Sequence, residues 1–165
     1  MYTVAFIDGQ NLHMNTRAYG WSVDMARLRV YLREKYHVQK AYYFLGAYIE
    51  ENEPLYRSLK RAGYVLNFKE HTQTLISKKK GNVDTDIVFL AMHHIAERKK
   101  FDKIVLISGD GDYYKMVMYF IKKQKFAKLL TPNKKSMSSL YKTISPQFTD
   151  FLDRPDIKRK ISKKT

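Results

Sequence analysis

The chain has 165 residues, the size of one domain and enough for a substantial core. It contains no cysteine, which excludes disulfides and thiolate chemistry, and its five histidines are scattered without zinc-ligand spacing, so a bound metal would be a hard ion held by oxygen. Lys and Arg total 31 against 16 Asp and Glu, and the resulting formal charge of +15 points to an acidic partner, nucleic acid first.

Residues 3 to 7, Thr-Val-Ala-Phe-Ile, read as a first strand that ends at Asp8-Gly9-Gln10-Asn11. The segment before it lacks a charged leader region. With no run of about 18 apolar residues anywhere, a soluble, cytoplasmic protein without a membrane partner is expected. Asp24 is a good N-cap for a helix over 24–36 whose Met25, Leu28, Leu32 and Tyr36 share a face. A second strand follows over 38–47, then a helix over 54–62 closed by Gly63, then a third strand over 64–68. Residues 69–82 are polar and end in a lysine cluster, the pattern of an exposed loop or short hairpin.

Residues 83–98 are strongly helical, with Ile87, Leu90, Ala91 and Ile95 on one face. Helical geometry puts Asp84 on the side of Ile87, Val88 and Ala91, while Asp86 points about 200° away. The run 103–108 has no polar alternation and reads as a strand buried on both faces. It stops at Gly109-Asp110-Gly111-Asp112, a turn into a helix over 112–123. A fifth strand over 126–130 and a short helix over 135–141 complete a domain of residues 1–150. Residues 151–165 form a basic C-terminal tail, of which 153–165 is expected to fray or to fold only on binding. Strands alternating with helices predict a single-domain α/β fold, a mainly parallel sheet of about five strands with right-handed crossovers and helices on both faces.

In such a sheet the C-terminal strand ends line one edge, so Asp8 and Asp110 converge there. Asp112 lies one turn beyond, and Asp84 opens a helix at the same edge. Clustered carboxylates repel one another unless a cation sits among them. Mg²⁺ or Mn²⁺ suits that role, because such an ion both lowers the pKa of an attacking water and stabilises a phosphodiester transition state. Asn11 and Ser108 suit neutral hydrogen bonds that orient carboxylates or bound water. Each also has an ordinary reading, Asn11 as a helix cap, Ser108 as a strand-end residue and Asp84 as a first-turn acid.

Three stretches taken together, Phe-Ile-Asp8-Gly-Gln-Asn11, Lys80-Gly-Asn-Val-Asp84-Thr-Asp86 and Ile-Ser108-Gly-Asp110-Gly-Asp112-Tyr, resemble the NYN domain (LabA-like) within the PIN-like ribonuclease superfamily. The resemblance spans about residues 2–145. It implies a PIN-like fold, a Rossmann-like three-layer α/β/α sandwich, and Mg²⁺- or Mn²⁺-dependent cleavage of RNA, with Asp8, Asp84, Asp110 and Asp112 at acidic motif positions and Asn11 and Ser108 at polar ones. Asp86 is a further candidate metal ligand. Many members carry another acid two turns into the helix after the Val-Asp pattern, where this chain has Leu90, so a second reading is an RNA-binding module that cuts slowly or not at all. Related proteins often pair, which makes a homodimer an expectation.

Lys78, Lys79 and Lys80 precede Asp84, and Lys115 follows Asp112, so all four are candidate phosphate contacts. Lys122, Lys123, Lys125, Lys128, Lys134 and Lys135 extend that track. Tyr113, with Tyr114, Tyr19 and Trp21, is a candidate stacking surface for unpaired bases. RNA, single-stranded or structured, is the expected partner, with DNA as the alternative polymer. A haloacid-dehalogenase-type phosphatase fits poorly, because Asp8 is followed two residues later by Gln10 rather than Asp. A dinucleotide binder fits no better, because the first turn lacks Gly-x-Gly-x-x-Gly.

Overall fold

A computed structural model describes residues 1–69 and 83–164. Among the described residues six strands, β1 (Thr3–Asp8), β2 (Val38–Leu45), β3 (Tyr64–Phe68), β4 (Lys103–Ile107), β5 (Phe126–Thr131) and β6 (Thr149–Phe151), form one sheet in the order β3-β2-β1-β4-β5-β6. Every neighbouring pair is parallel. The helices between them are α1 (Gly9–Arg17), α2 (Met25–Tyr36), α3 (Glu53–Ala62), α4 (Asp84–Ala96), α5 (Tyr114–Lys122) and α6 (Pro155–Ile161).

The central strands read as continuous apolar runs because both faces of the sheet are covered. Within β1, Ala5 and Ile7 join Leu12, Leu28, Leu32 and Leu59 on the α1–α2–α3 side. Val4 and Phe6 join Ile87, Ala91, Val117 and Phe120 on the α4–α5 side. β4 divides in the same way, Val105 and Ile107 to the first layer, Ile104 and Leu106 to the second. The period-2 alternation is therefore present, but both of its phases are hydrophobic.

Two expectations need correction. The sheet has six strands rather than five, because Thr149-Asp150-Phe151 pairs with β5 through Leu129, Leu130 and Thr131. Three residues with a central Asp carry too little pattern to read as a strand. The tail is not frayed either. Residues 155–161 form α6, whose Ile157 and Ile161 are buried in the core layer that holds Leu28 and Leu32. Val23 bridges Ser162 in antiparallel fashion, which ties the chain end to the entry of α2. Two isoleucines four positions apart were enough to dock a short basic helix.

Strand order reverses between β1 and β4. The carboxyl ends of those two strands flank the crevice in which open α/β sheets place their ligands. No helix among the described residues is long and apolar enough to cross a membrane.

Candidate metal centre

β1 delivers Asp8 to its last position, where the side chain is 3% exposed. Asp8 is the N-cap of α1 and accepts the Asn11 amide at 3.1 Å through Oδ1. Its other oxygen accepts from Ser108 Oγ at 3.3 Å and from the Tyr113 hydroxyl at 3.1 Å. Burial pushes the Asp8 carboxyl above the usual range, opposed by these three donors and reinforced by the nearby charge of Asp110.

Asn11 does not cap α1, since Asp8 does. Instead, its Oδ1 accepts the Gly109 amide at 2.9 Å and so ties the first turn of α1 to the turn after β4. Ser108 is fully buried and serves both acids, donating to Asp8 and accepting the Asp110 amide at 3.1 Å. Asp110 in turn caps a short 3₁₀ turn, Gly111–Tyr113, by accepting the Asp112 amide at 2.9 Å. The Tyr141 hydroxyl donates to the Asp110 carbonyl, and the Ser138 amide donates to the Gly109 carbonyl at 2.9 Å. That loop packs so closely that a Cβ on Gly111 would lie 2.5 Å from Ser138 Oγ.

Asp84 opens α4 at the same edge and is 8% exposed. Its Oδ1 accepts from the Tyr113 hydroxyl at 3.2 Å. Tyr113 was expected to present its ring to unpaired bases. It is instead fully buried, with its hydroxyl between Asp8 and Asp84. Its ring belongs to the α4–α5 core layer, so only the polar end reaches the site. Burial, then the charges of Asp8 and Asp84, push the phenol far up, so it remains a donor throughout the physiological range.

Asp84, Asp110 and Asp112 each offer an oxygen, and these oxygens lie within 4.8 Å of one another. Burial falls from Asp84 through Asp110 to the exposed Asp112, so the group is open on the Asp112 side. A cavity of about 170 Å³ is lined by Asp8, Asn11, Asp84 and Asp110 with Gln10 and Met14. Among the described residues no Lys or Arg forms an ion pair with Asp8, Asp110 or Asp112. The all-oxygen set of Asp84, Asp110 and Asp112 fits a hard divalent cation completed by water.

Asp86 does not join this group. It lies two positions along α4, turned about 200° from Asp84 and half-buried elsewhere. Lys115 is exposed on the first turn of α5. Lys78, Lys79 and Lys80 lie outside the described residues. Trp21 is 8% exposed and belongs to the core, with Lys158 Nζ over its ring, so it offers no stacking face, whereas Tyr19 is 41% exposed. Two organising residues, Tyr141 and the hydroxyl role of Tyr113, had no signal in local spacing. Tyr141 acts on a carbonyl 31 positions away.

Comparison with known proteins agrees with this geometry. The NYN domain family model matches residues 2–153, and the chain belongs to that family, within the PIN-like nuclease superfamily. The chain is 28% identical over 128 residues to the low amplitude and bright protein LabA of Synechococcus elongatus, covering 72% of this chain and 67% of that protein. A crystal structure of a protein of unknown function from Vibrio parahaemolyticus has the same fold, with a TM-score of 0.75, 20% identity and 93% of each chain covered.

Proposed function

We propose that this NYN-family protein is a metal-dependent ribonuclease that hydrolyses RNA phosphodiester bonds, with Mg²⁺ or Mn²⁺ held by Asp84, Asp110 and Asp112 and with Asp8 beside them. The observation that carries the reading is the convergence of three carboxylate oxygens within 4.8 Å at the β1/β4 switch point. When bound, the ion supplies an activated water and charge stabilisation of the phosphoryl transition state. The chain's own groups do the rest. Ser108 and Asn11 fix the two turns that carry the acids, and Tyr113 holds Asp8 and Asp84 at hydrogen-bonding distance from one donor. RNA as the polymer is supported by the +15 charge and by Lys115 one turn past Asp112.

A second reading is an RNA-binding module with weak or absent cleavage. Leu90, which packs against the α4–α5 core, favours it, because many members of the family carry an acid there. The two readings separate in one assay, cleavage of labelled single-stranded RNA and DNA by pure protein with Mn²⁺, Mg²⁺ or EDTA beside a folded Asp110→Asn variant. Metal-dependent RNA cleavage that disappears in the variant supports the nuclease. Equal, salt-sensitive RNA binding by both proteins, with no cutting under any metal, leaves the binding module.

A further inference from the structure

Residues 113–149 carry eight lysines and no carboxylate. α5 lies within that stretch. It starts beside Asp112 and runs to the opposite edge of the sheet, where β4 and β5 begin. Lys115, Tyr119 and Lys122 recur at helical spacing along it, with Lys115 and Lys122 exposed. At its far end is a cavity of about 390 Å³ lined by Arg98, Lys99, Lys123 and Lys125, by the rings of Phe101 and Tyr119, and by no acid.

Two other cavities on this basic protein make useful contrasts. One of about 420 Å³ between α2 and α3 has Arg57 and Arg61 but no ring. One of about 510 Å³ beside α6 has its cations interrupted by Asp153. At the far end of α5, cations surround one half-buried ring. Lys123 Nζ sits 5.6 Å from the centre of the Tyr119 ring, whereas Phe101 is 6% exposed and belongs to the core, with Lys125 Nζ 4.4 Å from its ring centre. Phosphate-binding cations around an aromatic face are what a single nucleic-acid strand needs, because every base has a face to stack and every phosphate a charge to neutralise.

We infer that this pocket is a second nucleotide-binding site, taking one base-and-phosphate unit of a single strand that runs along α5 from the metal centre. The inference rests on the nuclease reading for the identity of the strand. Nine residues of helix span about 14 Å, roughly four stacked nucleotides at 3.4 Å each. A strand shorter than that occupies one of the two sites at a time, and a longer one bridges them. The gain is one of effective concentration, since the second contact becomes intramolecular.

The test is fluorescence-anisotropy binding, in Mn²⁺ and with phosphorothioate-linked strands that resist cutting, of labelled single-stranded RNA of roughly three and roughly ten nucleotides, either side of that span. Wild type is compared with Lys99→Glu/Lys123→Glu, with Tyr119→Ala, and with Arg57→Glu/Arg61→Glu as a control of equal charge change. The expected result is that the longer strand binds wild type at least tenfold more tightly than the shorter. That advantage falls about tenfold in both pocket variants and less than about threefold in the control. Equal losses in pocket and control variants would overturn the inference. So would a length advantage that survives the pocket changes. Adenosine 5′-monophosphate is the probe for the other source of the same chemistry. If it saturates wild type but not Lys99→Glu/Lys123→Glu, while length confers no advantage, the pocket stands for free nucleotides and the strand path is overturned. Failure of wild type to bind RNA of either length sinks the nuclease reading itself, whereas a wild type that binds and cuts beside indifferent variants sinks this inference alone.

Discussion

The hydroxyl of Tyr113 lies 3.1 Å from Asp8 Oδ2, across 105 positions of sequence, and the same oxygen is 3.2 Å from Asp84 Oδ1. A phenol has one proton, so at any moment it donates to one carboxylate and leaves the other to its remaining partners. The ring is fully buried among Val117, Phe120 and Ile87, and that packing sets where the hydroxyl points.

Tyr113→Phe keeps the ring and removes the shared donor from between two buried acids. An under-satisfied buried acceptor costs about 1–3 kcal/mol. In a domain of this size each kcal/mol lowers Tm by about 2–4 °C. The loss is expected in EDTA, with part of it recovered on adding Mn²⁺, which gives the carboxylates a positive partner. A variant that melts like wild type in EDTA would show that the hydroxyl contributes nothing.

A divalent ion held by the carboxylate triad, as proposed, predicts metal-dependent stability. Mn²⁺ at about 100 times its Kd stabilises by about 2.7 kcal/mol, so Tm should rise by about 5–10 °C. Asp110→Asn removes one of the three converging ligands, and its Tm should stay nearly flat with Mn²⁺ while RNA cleavage drops about 100-fold or more. A full Mn²⁺-induced shift in that variant would place the ion elsewhere.

Asp8 predicts a pH signature in the metal-free protein. Its folded-state pKa is raised, chiefly by burial, from the usual 3.8. The folded chain therefore holds that proton more tightly than the unfolded chain does. The stabilisation is fully present below pH 3.8 and is lost as pH rises through the folded value, so at pH 7 the wild type carries a buried charge. Asp8→Asn keeps an N-cap oxygen without that charge. In EDTA at pH 7 it should melt about 2–4 °C higher than wild type, with the difference closing towards pH 4, and under the proposed function it should fail to cleave RNA. Chemical melts at the two pH values decide; a variant less stable than wild type at pH 7 contradicts the burial argument.

Gly9 follows Asp8 at the start of α1, and a Cβ there would lie 2.6 Å from the Tyr43 ring and 2.8 Å from the Phe44 carbonyl. Backbone cannot step aside as a side chain can. Gly9→Ala should therefore cost about 1–3 kcal/mol from overpacking, outweighing the roughly 0.5–1 kcal/mol that Ala gains over Gly within a helix. RNA cleavage should fall with it, because α1 carries Asn11. Gly46, with nothing within 4 Å of its would-be Cβ, is the control. Gly46→Ala should leave stability unchanged or raise it by about 0.4–1 kcal/mol. Urea titrations of the pair settle the comparison.

Residues 155–161 close the α1–α2–α3 core layer. Ile157 and Ile161 are 1% and 0% exposed, so changing either to Ala should cost about 2–5 kcal/mol. Denaturation midpoints of the two variants within about 0.5 kcal/mol of wild type would return this segment to a frayed tail.

Most elements were legible in the sequence because burial on both faces leaves a local trace, an apolar run for β1 and β4 and a 3.6-residue period for α4 and α5. The acids were legible as well, since each of Asp8, Asp84, Asp110 and Asp112 stands where an apolar segment starts or stops. β6 and α6 were not, because three residues cannot display a period and two isoleucines do not announce a core helix.

Residue types and their order thus determined the layered α/β architecture, the basic surface and the list of carboxylates. Tertiary structure alone decided what those carboxylates touch. Local spacing fixes which face of an element a side chain occupies, but contacts across about 100 positions depend on crossover order and strand register. Parallel pairing of β1 with β4 brings Ser108 to Asp8 and Gly109 to Asn11, and the packing of α4 against α5 turns Tyr113 from a surface ring into the hydroxyl between two acids.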